Sequence, residues 1–127
     1  MSALRPQSPV LVVDDDEALR DAMTAFLETE GFHTVTASDG QEAIELLQRG
    51  MHPCLILLDL MMPRLDGESF RRLQLRDERV SDVPVIVFSA RPDADRIAHA
   101  IGAMASLKKP VDIDTALQAV EQHCRPD

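Results

Sequence analysis

Apolar residues fall in short unbroken runs, separated by longer stretches in which apolar and polar positions alternate at helical spacing. Three runs are continuously apolar: Val10-Leu11-Val12-Val13, Cys54-Leu55-Ile56-Leu57-Leu58 and Val85-Ile86-Val87-Phe88. Continuous runs of this kind predict strands covered on both faces, as in a parallel sheet. Two mixed segments, His33-Thr34-Val35-Thr36 and Ala105-Ser106-Leu107, predict edge strands. Leu19, Met23, Phe26 and Leu27 share one face of a helix from about Glu17 to Glu30, which Gly31 ends. Ala43, Ile44 and Leu47 mark a second helix before Gly50, with Ser38 and Gln41 at capping-box spacing. Phe70 and Leu73 mark a third after Asp66-Gly67, and Ile97 and Ile101 a short fourth before Gly102. Ile113, Leu117, Val120 and Cys124 mark a fifth, with Asp112 as its expected N-cap.

The string is a strand followed by a helix, five times over. Such alternation implies an α/β fold with a parallel sheet and right-handed crossovers. Five strands at this spacing fit the flavodoxin-like (βα)5 order 2-1-3-4-5, which places the two mixed strands at the edges. At 127 residues the chain reads as one domain, residues 1–127, with a core over about 10–124 and a short N-terminal tail over 1–8. With 45% hydrophobic residues, disorder is not expected. A net charge of −9 argues against direct contact with nucleic acid, which needs a basic face. The apolar runs are far shorter than the roughly 18 residues of a membrane span, and MSALRPQSP has no signal-peptide core. Cys54 and Cys124 are distant in sequence and form no motif, so a reducing, cytoplasmic setting is expected for them.

Ligands of such sheets bind at the carboxyl ends of the strands where the strand order reverses, here between the first and third strands. The first strand runs into Asp14-Asp15-Asp16 and the third into Asp59. Helix capping accounts for Asp16 but not for Asp14, Asp15 or Asp59. Carboxylates this crowded call for a cation, and an all-oxygen cluster favours a hard one such as Mg²⁺, with Mn²⁺ as an alternative. The fourth strand ends at Ser89 and the fifth at Lys108-Lys109-Pro110, opening on the same side. Pro110 restricts Lys109 to extended geometry. A hydroxyl and an ammonium beside an acidic metal site suit a phosphoryl group, which a carboxylate would accept as an aspartyl phosphate. His33, His52, His99 and His123 are scattered and form no metal set. The methionines follow helix faces and are expected in the core, except Met61 and Met62 after Asp59.

LVVDDDEALR, LILLDLMMPRLDG, VIVFSA and LKKP occur in this order and spacing from about Val10 to Cys124, and together they resemble the CheY-like receiver domains of bacterial response regulators. The resemblance implies that Asp59 is the phosphoacceptor and that Asp14, Asp15, Asp59 and the carbonyl of Met61 are metal ligands. It implies switch and lysine roles for Ser89 and Lys109. It also implies a sensor histidine kinase or phosphotransfer protein as donor, and self-dephosphorylation or a phosphatase for removal. The face formed by the fourth helix, fifth strand and fifth helix is the implied contact for a downstream protein, an output domain or a homodimer mate. One position departs: where the family often has Tyr or Phe, three residues before the lysine, this chain has Ser106, and it has no Tyr at all. Met61 and Arg91 stand where the family tunes the lifetime of the phosphoryl group.

Ser106 keeps open a pseudo-receiver that acts by constitutive contacts. A phosphatase working through an aspartyl phosphate commonly carries a second Asp two residues after the nucleophile, and here that residue is Met61. A flavin-binding module needs a hydroxyl-rich loop after the first strand, where three carboxylates would repel a phosphate. The sequence leaves open whether the chain acts alone or as part of a longer regulator.

Overall fold

The computed structural model describes residues 8–126. The N-terminal tail, and with it the expectation about a leader, falls outside them except for Ser8. The elements are β1 (Val10–Val13), α1 (Glu17–Thr29), β2 (Thr34–Ala37), α2 (Gly40–Gln48), β3 (Leu55–Leu58), α3 (Gly67–Arg76), β4 (Val85–Ser89), α4 (Ala94–Ala100), β5 (Ala105–Lys108) and α5 (Ile113–His123). The strands form one parallel sheet in the order β2-β1-β3-β4-β5. Each expected strand is present, with ends shifted by a residue: Cys54 precedes β3, and Ser89 completes β4.

Every residue of β1, β3 and β4 is buried, whereas β2 and β5 are partly open, as their composition predicts. Alternate side chains of the central strands supply two cores. Val10, Val12, Leu55, Leu57, Ile86 and Phe88 pack with Met23 and Leu27 of α1 and Ala116 and Val120 of α5. On the other face Leu11, Val13, Ile56, Leu58 and Val85 pack with Ala43 and Leu47 of α2 and Phe70 of α3. Leu60 and Val87 extend that face under Ala94, Ile97 and Ala98 of α4. Truncating a buried leucine such as Leu57 to Ala would cost about 2–5 kcal/mol by area and cavity together.

Helix ends follow the acidic caps, with corrections. Asp16, Asp39 and Asp66 each accept a hydrogen bond from the backbone N–H three residues on. The cap of α2 is therefore Asp39 and not Ser38. The N–H of Ser38 donates instead to Glu42, whose side chain reaches back over the first turn at 2.6 Å. Asp112 holds the N-cap position of α5 without capping the backbone, because its carboxylate takes the hydroxyl of Thr115. Gly31, Gly50 and Gly102 follow their helices at φ of 93°, 101° and 72°, a conformation that glycine enters without steric cost.

One helix face is rotated from the expected one, and a second departs at its first residue while Leu117, Val120 and Cys124 pack inward as expected. In α3 the inward residues are Phe70, Arg71 and Gln74, and Leu73 lies at the surface. Arg71 donates to the carbonyls of Ile101 and Gly102 at 3.0 and 3.1 Å and to the Gln74 side chain at 2.8 Å. Gln74 in turn donates to the carbonyls of Val80 and Val83. Polar residues thus fill core positions by hydrogen-bonding loop carbonyls, that of Val80 also taking the Val83 N–H. In α5, Ile113 is exposed and Ala116 takes the inward position. Met104 also lies at the surface rather than in the core.

The cysteines are the main correction. Cys54 and Cys124, 70 residues apart in sequence, lie with their Cα atoms 5.4 Å apart and are joined in a disulfide. The case for a reducing environment built on two unpaired thiols therefore falls. By chain-entropy reasoning, closing a loop of this length stabilises the fold by about 4 kcal/mol.

Arg64, at φ 65°, reaches back from the β3–α3 loop to the buried carboxylate of Asp39 at 2.7 Å. Burial pushes the Asp39 carboxyl up, but the Arg64 guanidinium and the N–H groups of Glu42 and Gln41 outweigh it and hold the group below the usual carboxylate range. Its stabilising effect is present above the ordinary carboxylate pKa and is lost as pH falls through the lowered folded value. Asp39→Ala removes both the cap and the partner of Arg64 and should cost about 2 kcal/mol in urea unfolding at neutral pH. The variant should also lose less stability than the wild type on acidification below about pH 4. An unchanged acid dependence would remove Asp39 from that role.

Candidate functional site

The carboxyl edge of the sheet is built by β1 and β3, neighbours in register with Val13 opposite Leu58. One residue beyond each strand the ladder still holds: the N–H of Asp14 donates to Ala37 at 3.1 Å, and that of Asp59 to Val13 at 2.9 Å. Asp14 and Asp59 are thus fixed side by side by backbone pairing. Oxygens of Asp14, Asp15 and Asp59 lie within 4.8 Å of one another. Asp14 and Asp59 are buried, at 1% and 5% exposure, while Asp15 faces solvent. Asp16, as expected, is the helix cap.

Each buried carboxylate has further partners. Asp14 accepts the N–H of Asp16 at 2.9 Å, and its carbonyl takes the Arg20 guanidinium at 2.7 Å. The Asp59 carboxylate takes the N–H of Met61 at 3.3 Å. Lys109 arrives from the end of β5, donates to Asp14 at 2.6 Å and pairs with Asp59 at 3.5 Å. Its ammonium stands 5.3 Å from the ring centroid of Phe88, within the range of a cation–π contact. The Lys109–Pro110 peptide bond is cis.

Burial and, next, the negative charge of Asp14 push the Asp59 carboxyl above the usual carboxylate range, against the pull of Lys109 and the Met61 N–H. Burial pulls the Lys109 ammonium down, but its hydrogen bond to Asp14 and the charges of Asp14 and Asp59 outweigh this and raise it. With all four groups ionised, one ammonium faces three carboxylates. The excess is two negative charges on a compact set of oxygens, the donor set and charge that a hard divalent cation fits.

The remaining expected residues surround this cluster. Ser89 is buried at the end of β4, its hydroxyl oxygen accepting the Arg91 N–H at 3.2 Å and its carbonyl the Lys109 N–H at 3.1 Å. Arg91 turns its guanidinium to Asp93, at 2.9 and 2.8 Å. Met61 projects into solvent at 59% exposure. Gly67 lets α3 begin against the end of β3, since a Cβ there would stand 2.5 Å from the carbonyl oxygen of Asp59. Beside Ser89, a cavity of about 90 Å³ is lined by Ser106 with Arg91, Pro92, Ala94, Asp95 and Lys108. Ser106 is the small residue at the position where a ring was expected on family grounds. A larger apolar cleft of about 510 Å³ opens beside Lys109 between α1 and the segment after β5, with Leu19, Met23, Phe26 and Ile113 in its walls.

Sequence reasoning named Asp14, Asp15, Asp59, Met61, Ser89 and Lys109, and the structure gathers them at one end of the sheet. It did not foresee the Phe88 ring beside the ammonium or the hold of Arg20 on the Asp14 carbonyl. Both depend on where helices and strand ends cross. The four histidines are exposed or partly buried and lie outside the cluster.

Residues 10–121 match the model of the response regulator receiver domain family. Among curated proteins, a probable transcriptional regulator ycf27 of Guillardia theta is 38% identical over 122 residues, covering 92% of this chain and 46% of that protein. The response regulator MprA of Mycobacterium leprae is 37% identical over 123 residues, 93% of this chain and 53% of that protein. The chain thus spans about half the length of these relatives. Among solved structures, a response regulator receiver protein from Pseudomonas putida superposes with a TM-score of 0.85 at 29% identity, covering 94% of this chain and 99% of that one. The chemotaxis protein CheY4 of Vibrio cholerae gives 0.83 at 26% identity, with 92% and 98% covered.

Lys109 supplies the positive charge in contact with both buried carboxylates. Lys109→Met, assayed without divalent cations, should therefore lose about 3 kcal/mol of unfolding free energy, the scale of a broken buried ion pair. A variant as stable as the wild type would mean that the carboxylates are neutralised some other way.

Proposed function

The chain belongs to the response regulator receiver domain family, and from that premise we propose that it is a phosphorylation-controlled signalling module whose acceptor is Asp59. The observation that carries this is the cluster itself: a buried carboxylate beside two others, with one ammonium across it and a buried hydroxyl at the next strand end. Nothing in the relatives points to a classical enzyme, and nothing in the site favours the constitutive-binding alternative. The cluster is assembled without a ring at Ser106.

In the proposed reaction a carboxylate oxygen of Asp59 attacks phosphorus, and the bond from phosphorus to the donor's leaving atom breaks. That atom is the imidazole nitrogen of a phosphohistidine or an oxygen of acetyl phosphate. Asp14, Asp15, Asp59 and the carbonyl of Met61 would hold Mg²⁺ or Mn²⁺, which when bound offsets the charge of the phosphoryl oxygens. Lys109, freed from part of its contact with Asp59, donates to one phosphoryl oxygen. The Ser89 oxygen already accepts an N–H from Arg91, so its own proton is available to a second. Met61 and Arg91 border the approach of the hydrolytic water.

The donor in this reading is a histidine kinase or a phosphotransfer protein, and the aspartyl phosphate is hydrolysed by the module itself or with a phosphatase. The relatives include proteins named as transcriptional regulators, and the chain spans about half of them. Contact with DNA, where it occurs, belongs to an output domain, because a net charge of −9 repels phosphate. The face of α4, β5 and α5 passes the signal to that domain, to a separate protein or to a second copy.

Intact mass after incubation with acetyl phosphate tests the assignment directly. One labile phosphoryl adduct should form with Mg²⁺ and be absent from Asp59→Asn and from metal-free samples. Ser89→Ala should form it roughly tenfold or more slowly, a hydrogen bond to a charged oxygen being worth about 1.5–3 kcal/mol. An adduct that persists in Asp59→Asn would place the acceptor elsewhere. No adduct from acetyl phosphate or from phosphorylated kinases would end the proposal.

A further inference from the structure

We propose that Cys54 and Cys124 form a thiol–disulfide exchange site that latches the last turn of α5 to the sheet. This goes beyond the acceptor chemistry and stands apart from it, at the opposite ends of the elements concerned. Cys54 sits immediately before β3, whose far end carries Asp59, and its N–H is tied to Pro9 at 2.9 Å. Cys124 follows α5, and its N–H still closes on Val120 at 2.8 Å. The disulfide therefore joins a fixed point in the centre of the sheet to the end of a surface helix.

The helix depends on that bond because its other anchors are small. The residues it buries fully are Ala116 and Val120. Its N-cap makes no side-chain bond to the backbone, and Ile113, at its first position, is 52% exposed. The strand before it, β5, is a half-open edge. Without the disulfide, the end of the helix keeps Val120, the partly buried Leu117 and Ala119, and the cysteine sulfur.

The two cysteines differ in exposure: Cys124 is 6% exposed, whereas Cys54 is only half-buried, with its Sγ 3.3 and 3.4 Å from the carbonyl oxygens of Ser8 and Pro9. The co-reactant is a dithiol reductant. Its thiolate attacks Cys54 Sγ, a new S–S bond forms, the Cys54–Cys124 bond breaks, and Cys124 leaves as a thiolate that takes up a proton. The second thiol of the reductant then attacks its own sulfur in the mixed disulfide and releases Cys54 as a thiol. The protein gains two electrons and two protons, and the reductant leaves as a disulfide.

The test uses the whole chain purified without reductant. Alkylation under native conditions, followed by intact mass, should add no label before dithiothreitol and two labels after it, with no denaturant present. Hydrogen–deuterium exchange of residues 117–124 should quicken at least about tenfold on reduction, reporting local opening, while β1 and β3 stay protected. The double variant Cys54→Ser, Cys124→Ser should show the fast rate with or without dithiothreitol. Two labels before reduction, even after treatment with diamide, would mean that no bond forms. Labelling that needs denaturant would make the bond a structural staple, and unchanged exchange in α5 would remove the latch; each overturns the proposal. None of these readings involves Asp59, so a failed phosphorylation experiment leaves them intact.

Discussion

Two carboxylates, Asp14 and Asp59, are held together in the interior against their mutual repulsion, and much of the domain is arranged around that constraint. The force that holds them is not local. Parallel pairing of β1 with β3 brings both to the same height, and two apolar cores lock the strands in that register. Hydrophobic burial thus does the electrostatic work. Lys109 answers part of the charge, and it is brought there by the last strand, 50 residues after Asp59 in numbering and two strands away in space. The remaining charge sits on an all-oxygen set of the kind that a hard cation fits.

The parts of the fold that are legible in the sequence are those where a residue has one physical option. Leu55–Leu58, bounded by Pro53 and Asp59 within a strand–helix alternation, reads as an interior strand, which puts the aspartate after it at the strand's mouth. The edges β2 and β5 are equally plain from Thr34, Thr36 and Ser106. What escapes reading depends on contacts across the chain. Arg71 and Gln74 look like a solvated face, and Leu73 like a buried one, until the carbonyls of Ile101, Gly102, Val80 and Val83 are in place to receive them. Choosing between Ser38 and Asp39 as cap turns on Arg64, which arrives from another loop. The pairing of Cys54 with Cys124 needs the end of α5 to land beside β3, and no local signal gives that. At the site, residue types and strand ends were enough to name the cluster. They were not enough to place Phe88 beside Lys109 or to show that Arg91 turns to Asp93.

The Arg71 network anchors one end of α4. Burial pulls the Arg71 guanidinium down from its ordinary value, yet no carboxylate neutralises it; its partners are neutral oxygens, two of them backbone carbonyls just past α4. Such carbonyls carry the negative end of the helix dipole, which a cation suits. One end of α4 is therefore pinned to α3. The other end begins at Asp93 with no side-chain cap bond to its backbone, only a few residues after Ser89. In mechanical terms α4 is tethered to α3 through Ile101 and Gly102 and seated along its length by Ala94, Ile97 and Ala98. The hold on that end of the helix thus comes from a side chain that stands apart from Asp14 and Asp59.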